Sequence, residues 1–255
     1  MVECLEYGLV GKNISHSFSA DYFNRKFSKE NIEAVYKPFD LPDIEKIKEI
    51  IQSRPYLKGL NVTSPYKRDI IPYLDSLTMD AQELSAVNVV KISRDNGKVS
   101  LKGHNVDWLG FYNTLESLRL PQNLRALILG TGGAASAIAY ALSKAGVAYS
   151  LVSRHPEDVK GFGELEIMNY DEASNVISSH FLVINATPLG TWPKIEDCPP
   201  LDLGKVGTNH IFYDLIYNPM ESILLKRAKA RGAQIFNGYQ MLINQALLSW
   251  EFWNA

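Results

Sequence analysis

The stretch Leu124-Arg125-Ala126-Leu127-Ile128-Leu129-Gly130-Thr131-Gly132-Gly133-Ala134-Ala135 decides the fold. Its first half is an apolar run without alternation. That is the pattern of a strand covered by helices on both faces of a parallel sheet. Its second half spaces small residues as Gly130-x-Gly132-x-x-Ala135 and opens a helix. Ala135, Ile138, Ala139, Leu142 and Ala145 mark that helix's apolar positions, and Gly146 is its stop. Strand, spacing and helix together read as a dinucleotide-binding turn. Gly130 permits the tight turn, Gly132 lets a pyrophosphate approach the backbone, and Ala135 lets helix and strand pack closely. The helix N-terminus then offers unpaired N–H groups to phosphate. An ordinary glycine-rich turn without ligand is the competing reading.

The next strand, Ala148 to Val152, ends in Ser153-Arg154-His155. An acidic residue there would bond a ribose 2′-hydroxyl. Arg154 instead suits a 2′-phosphate, with His155 adding hydrogen bonds, so the expected cofactor is NADP. A solvated surface arginine is the alternative, and Glu157 and Asp158 nearby oppose an anion. Further strands are expected at 181–185 and 210–216. Helices are expected from Met220 to Arg231 and from Tyr239 to Trp253.

Upstream, strand-like and helix-like patterns also alternate. Strands are expected at 5–10, 34–39 and 59–62. Helices are expected over Phe18 to Phe27 and Asp43 to Gln52, the latter with Ile44, Ile47, Ile50 and Ile51 on one stripe. Val87 to Ser93 and Val99 to His104 flank Asp95-Asn96-Gly97, a hairpin turn. A linking helix follows from Val106 to Leu118. The fold class is α/β with two domains: an N-terminal α/β substrate domain, and a Rossmann-type doubly wound dinucleotide-binding domain with a parallel sheet. The expected boundaries are 1–104 plus 239–255 for the first and 105–238 for the second.

Of 255 residues, 46% are hydrophobic, which is ample for folded cores and excludes a disordered chain. Net charge is −2 with no basic cluster, which argues against nucleic acid and membrane surfaces as partners. The two cysteines, Cys4 and Cys198, form neither a disulfide framework nor a metal cluster. No basic-then-apolar leader opens the sequence and no apolar run reaches eighteen residues, so the expected location is the cytoplasm.

Polar residues gather at element ends of the first domain. Ser17 and Ser19 stand where a loop meets a helix, so they are N-caps, ligand donors, or one of each. Thr63 and Lys67 lie just past a strand end within Asn61-Val62-Thr63-Ser64-Pro65-Tyr66-Lys67. Ligand sites of open sheets collect at such ends. Lys67 taken alone is a solvated lysine or a site cation. Asn88 sits among β-branched residues, where an amide needs partners or a ligand. Asp107 is a helix-start acid or a carboxylate beside Lys67.

These segments resemble the shikimate dehydrogenase family. The matching stretches are Gly8–Gly11 with Ser15–Ser19, Asn61–Lys67, Ala86–Val90, Asn105–Asp107, Gly130–Ala134, Asn185–Gly190, Asp214–Pro219 and Asn237–Leu242 leading to Gln245. They run through nearly the whole chain in the family's order. The resemblance implies an NADP-dependent oxidoreductase acting on a CH–OH group. It would interconvert 3-dehydroshikimate and shikimate in chorismate and aromatic amino-acid biosynthesis, as a monomer or homodimer. A paralogue acting on quinate or another shikimate-like acid with NAD or NADP is the second reading. A non-catalytic dinucleotide sensor would have lost Lys67 or Asp107.

Carried over residue by residue, substrate contacts fall on Ser17, Ser19, Thr63, Lys67, Asn88, Asp107, Tyr217 and Gln245, with Lys67 and Asp107 catalytic. Cofactor contacts fall on Gly130, Thr131, Gly132, Gly133, Ala134, Ser153, Arg154, His155, Thr187, Leu215 and Gly238. No metal is expected. The chain departs from the family's usual pattern at Ser64, Ser85, Val106, Trp108, Ser153 and Thr191. None of these removes a proposed catalytic group.

Overall fold

The computed structural model describes residues 4–14, 18–118, 120, 121, 123–159, 161, 162 and 165–255. The chain divides into two compact units, residues 1–106 with 245–255, and residues 107–244.

The first unit is built on a six-stranded sheet. Its strands are β1 (Leu5–Gly11), β2 (Ala34–Asp40), β3 (Leu57–Val62), β4 (Ser76–Leu77), β5 (Val89–Asp95) and β6 (Lys98–His104). Their spatial order is β2-β1-β3-β5-β6-β4. β1 runs parallel to β2 and β3, while β5 is antiparallel to both β3 and β6. The sheet is therefore mixed rather than parallel. The hairpin is the reason: Asn96 and Gly97 adopt φ of 50° and 78°, the pair of left-handed residues that a two-residue hairpin turn needs.

Helices α1 (Phe18–Lys29), α2 (Ile47–Ser53) and α3 (Met79–Leu84) accompany these strands. The helix expected from Asp43 begins instead as a 3₁₀ turn, Ile44–Lys46, with Asp43 Oδ1 accepting from Glu45 N at 2.9 Å. Alternation along β1 sends Tyr7 and Leu9 to one apolar cluster and Val10 to another. The first of these clusters is aromatic. Tyr7, Phe23, Phe27, Tyr36 and Trp253 are all buried in it. The Trp253 indole N–H donates to Val90 O at 3.1 Å. A Cβ on Gly59 would fall 2.4 Å from that indole, so only glycine lets the ring lie on β3.

The second unit holds α4 (Asp107–Ser117), β7 (Arg125–Leu129), α5 (Gly133–Lys144), β8 (Ala148–Val152), β9 (Ile167–Met168), α6 (Tyr170–Val176), β10 (Leu182–Asn185), β11 (Ile211–Asp214), α7 (Ile223–Ala230) and β12 (Gln234–Phe236). The strand order is β12-β11-β10-β7-β8-β9, and every pairing is parallel. This is a doubly wound sheet whose order reverses between β7 and β10. Ala126 and Ile128 face one core, and Leu127 and Leu129 the other. That explains the unbroken apolar run.

Among the boundaries that differ from the sequence expectation are the start of α7 and the division between the units. Helix α7 starts at Ile223, because the Ser222 hydroxyl accepts from Leu225 N and caps it there. The division between units falls inside the last helix, α8 (Tyr239–Asn254), not at its first residue. Met241 packs into the second unit's core, and Asn244 Nδ2 donates to Gly110 O at 3.1 Å.

Trp253→Ala should remove the centre of the aromatic cluster and the bond to Val90, costing about 3–5 kcal/mol. Chemical denaturation compared with the parent chain measures this directly.

Candidate active site

The turn after β7 is shaped by what cannot fit. Gly130 has a φ of +108°, and a Cβ there would meet Thr187 Cγ2 at 3.1 Å and the Ala186 carbonyl oxygen at 3.3 Å. The turn thus closes against the residues that follow β10, at the point where the strand order reverses. Gly132 is the N-cap of α5 and supplies no side-chain bond. Added Cβ atoms at Gly132 and Gly133 would meet nothing within 4 Å. Gly132 through Ala134 are exposed, while Ala135 is buried against the sheet. The first turn of this twelve-residue helix carries no acidic residue. An uncapped helix start beneath open space suits the pyrophosphate of a dinucleotide in both shape and charge.

Beyond β8, Ser153 N donates to Met168 O at 2.9 Å, and the Ser153 hydroxyl accepts from His155 N at 3.1 Å. Ser153 therefore builds the turn that displays Arg154 and His155, both exposed. Tyr170 beneath is pushed up to about 12 by burial, against the pull of the Arg154 charge. His155 Nδ1 lies 3.7 Å from Glu157 Oε1, with both side chains at the surface. The basic pair thus has an acidic neighbour.

The ends of β10 and β11 carry buried polar groups. Asn185 Oδ1 accepts from Thr187 N at 3.0 Å and from Thr187 Oγ1 at 2.6 Å. Asn185 Nδ2 donates to Asp214 Oδ1 at 3.0 Å. Gly238 N donates to Ile216 O at 3.0 Å, and a Cβ on Gly238 would fall 2.0 Å from Leu215 O. No side chain is possible at 238 while Leu215 stays in place. Tyr217 follows, partly exposed.

In the first unit, a turn runs on from the end of β3. Tyr66 N donates to Thr63 O and Ile70 N to Tyr66 O, each at 3.0 Å. Tyr66 and Ile70 are buried, one turn apart, so Lys67 emerges half-buried beside them. Val87 N donates to Lys67 O at 2.7 Å, and Val62 N to Asn88 O at 2.8 Å. These bonds bring Thr63, Lys67 and Asn88 to one end of the sheet. Asn88 precedes β5 rather than lying within it. Its buried amide has a protein partner, because Oδ1 accepts from Val106 N at 2.8 Å.

A polar chain reaches two more of the expected residues. The Ser19 hydroxyl bonds Tyr36, whose phenol burial pushes far above its ordinary range. Tyr36 OH donates to Asn61 Oδ1 at 2.9 Å, and Asn61 Nδ2 donates to Ser249 Oγ at 2.9 Å. The Ser249 hydroxyl donates in turn to Gln245 O at 2.7 Å. Sequence reading missed Tyr36, Asn61 and Ser249 as the frame behind Ser19 and Gln245. Asn61, an amide between two buried apolar residues near the end of β3, is the available signal. Asp107 is the buried first residue of α4, in the second unit. Ser17 lies outside the described residues.

Residues 9–90 match the family model for the shikimate dehydrogenase substrate binding domain. The chain is 37% identical over 252 residues to a shikimate dehydrogenase (NADP(+)) of Clostridium botulinum, covering 96% of this chain and 95% of that protein. The chain belongs to the shikimate dehydrogenase family. A chorismate mutase/shikimate 5-dehydrogenase fusion protein from Clostridium acetobutylicum superposes with a TM-score of 0.88 at 35% identity, covering 99% of this chain and 92% of that one. The shikimate 5-dehydrogenase of Thermus thermophilus, solved in complex with NADP(H) and shikimate, gives 0.84 at 29% identity, covering 98% and 93%.

Asn61→Ala should remove the acceptor of the buried Tyr36 hydroxyl and cost about 2–3 kcal/mol, while Ser249→Ala should cost about 1 kcal/mol. Denaturant unfolding of the two variants checks the ranking.

Proposed function

We propose that this chain catalyses the reversible NADP-dependent reduction of 3-dehydroshikimate to shikimate, in the cytoplasm. The observation that carries the reading is the Asn61–Lys67 turn. It is intact at a strand end, in a chain whose relatives match it along nearly their whole length.

The glycine turn, Gly130 through Ala134, holds the pyrophosphate with its backbone. Ser153, Arg154 and His155 hold the adenosine end, and Arg154 selects the 2′-phosphate by a charge-assisted pair. Thr187, Leu215 and Gly238 form the remaining cofactor wall. When bound, NADPH supplies the hydride that reduces the ketone.

Everything else falls to side chains. A carbonyl oxygen gaining negative charge needs a proton or a fixed cation beside it. The Lys67 ammonium donates that proton, and its amine takes one back in the oxidative direction. The Asp107 carboxylate accepts a hydrogen from a ring hydroxyl. Asn88 and Gln245 read the other hydroxyls, since an amide both donates and accepts. Ser17 and Ser19 offer hydroxyls to the substrate carboxylate, Ser19 turning its hydrogen from Tyr36 to do so, and Thr63 and Tyr217 complete the substrate contacts.

Purified protein given shikimate and NADP+ should produce the reduced-nicotinamide absorbance band. The kcat/KM for NADP+ should exceed that for NAD+. A preference for quinate would overturn the substrate assignment, and a preference for NAD+ would overturn the role of Arg154. In Lys67→Ala, kcat should drop by roughly 10²–10⁴. The KM for NADPH should stay within about two-fold. Near-normal turnover removes Lys67 from the chemistry.

A further inference from the structure

Asp214 is a fully buried carboxyl to which the mechanism above gives no task. Among the described residues no cation pairs with it. Its partners are neutral donors. Oδ1 accepts from Asn185 Nδ2 and from Ile216 N, each at 3.0 Å, and Oδ2 accepts from Ser222 Oγ at 2.5 Å. Each donor belongs to a different segment. Asn185 also holds Thr187 through two bonds, and Thr187 Oγ1 accepts from Leu189 N at 3.3 Å. Ile216 follows Leu215 directly, and Ser222 caps α7.

Three donors and no acceptor complement an ionised carboxylate. A protonated carboxyl would have to give its hydrogen to Ser222, whose own hydrogen must then turn elsewhere. We propose that Asp214 is the positioning residue of the cofactor-facing edge: its carboxylate ties the segment after β10 to the segment after β11 and so fixes Thr187 and Leu215 where the cofactor meets them. The proposal rests on the reading that this edge binds NADP.

Burial opposes the charge and outweighs the donors, holding the carboxyl up at about 6. Two further titratable groups act nearby. Burial raises the Cys198 thiol, which also feels the Asp214 charge, and Arg227 Nη1 donates to Cys198 Sγ at 3.7 Å. The folded-state value lies above the ordinary 3.8, so folding takes up a proton between these limits. This contribution to stability is complete below 3.8 and is lost as pH rises through about 6. Acid therefore rearranges the tie without unfolding the chain through this group.

The test is NADP+ binding to the full chain, by calorimetry from pH 5.5 to 8, for the parent and Asp214→Asn. At pH 8 the variant's Kd should be about ten-fold higher, because an amide N–H then faces a donor. The KM for shikimate should be nearly unchanged. The ratio of the two Kd values should shrink toward one below pH 6, where the parent's carboxyl is neutral like the variant's amide. Taking the ratio cancels the titration of the cofactor's own phosphate. Equal affinities at pH 8, or a ratio constant with pH, would overturn the proposal. If Asp214→Asn does not fold, Ser222→Ala serves: losing its donor should move the parent's pH midpoint upward, and a stationary midpoint refutes the tie. A parent chain that binds no NADP+ at any pH would instead overturn the underlying functional reading.

Discussion

Two main-chain carbonyls set the polar interior of the first unit. A carbonyl only accepts, so the carbonyls of Asn88 and Gln245 dictate where hydrogens point. Asn61 Nδ2 also donates to Asn88 O at 3.3 Å, which fixes the orientation of its amide. The Ser249 hydroxyl spends its hydrogen on Gln245 O, so it must accept from Asn61. Asn61 Oδ1 is then left to receive the Tyr36 hydrogen. Tyr36 has none remaining, and Ser19 must donate to it. One arrangement satisfies every member, and it joins β2, β3, α1 and α8. Such a network favours a single packing over near alternatives.

The two units handle buried polarity at strand ends differently. In the first, the frame behind the site consists of hydroxyls and amides. In the second, Asn185 and Asp214 sit side by side at the ends of β10 and β11, and one of them is a carboxyl. A neutral frame holds the same shape across the pH range, while a charged one is stronger and more sensitive. That contrast follows from the neighbours each residue has, not from its type alone.

Much of this was legible in the sequence. The apolar run of β7, the glycine spacing and the stripe of α5 share one cause, a helix packed closely on a buried strand, and they mark the doubly wound sheet plainly. The Asn96-Gly97 turn was equally plain. Short elements were not. β9 has two residues and β12 three, too few to show a period. Helix α6 is too short to show a period, and its one sequence signature is the Asn-x-x-Glu capping box of Asn169 and Glu172. The α7 start was misplaced because Pro219 resembles a first helical residue, whereas the Ser222 hydroxyl does the capping. Asn88 reads in sequence as an amide that needs a ligand, and the structure gives it Val106 N. Partners this distant in sequence leave no local trace.

The β5–β6 hairpin also bears on engineering. Arg94, paired with Val99 just below the turn, ties down the turn end of the hairpin, since its guanidinium donates to the carbonyls of Leu57, Ile51 and Arg54. At the tip, a Cβ on Gly97 would meet nothing within 4 Å. A firmly held collar beneath an empty crown makes this loop a natural grafting point, where an inserted epitope or a relocated pair of chain termini would disturb neither apolar cluster of the first unit.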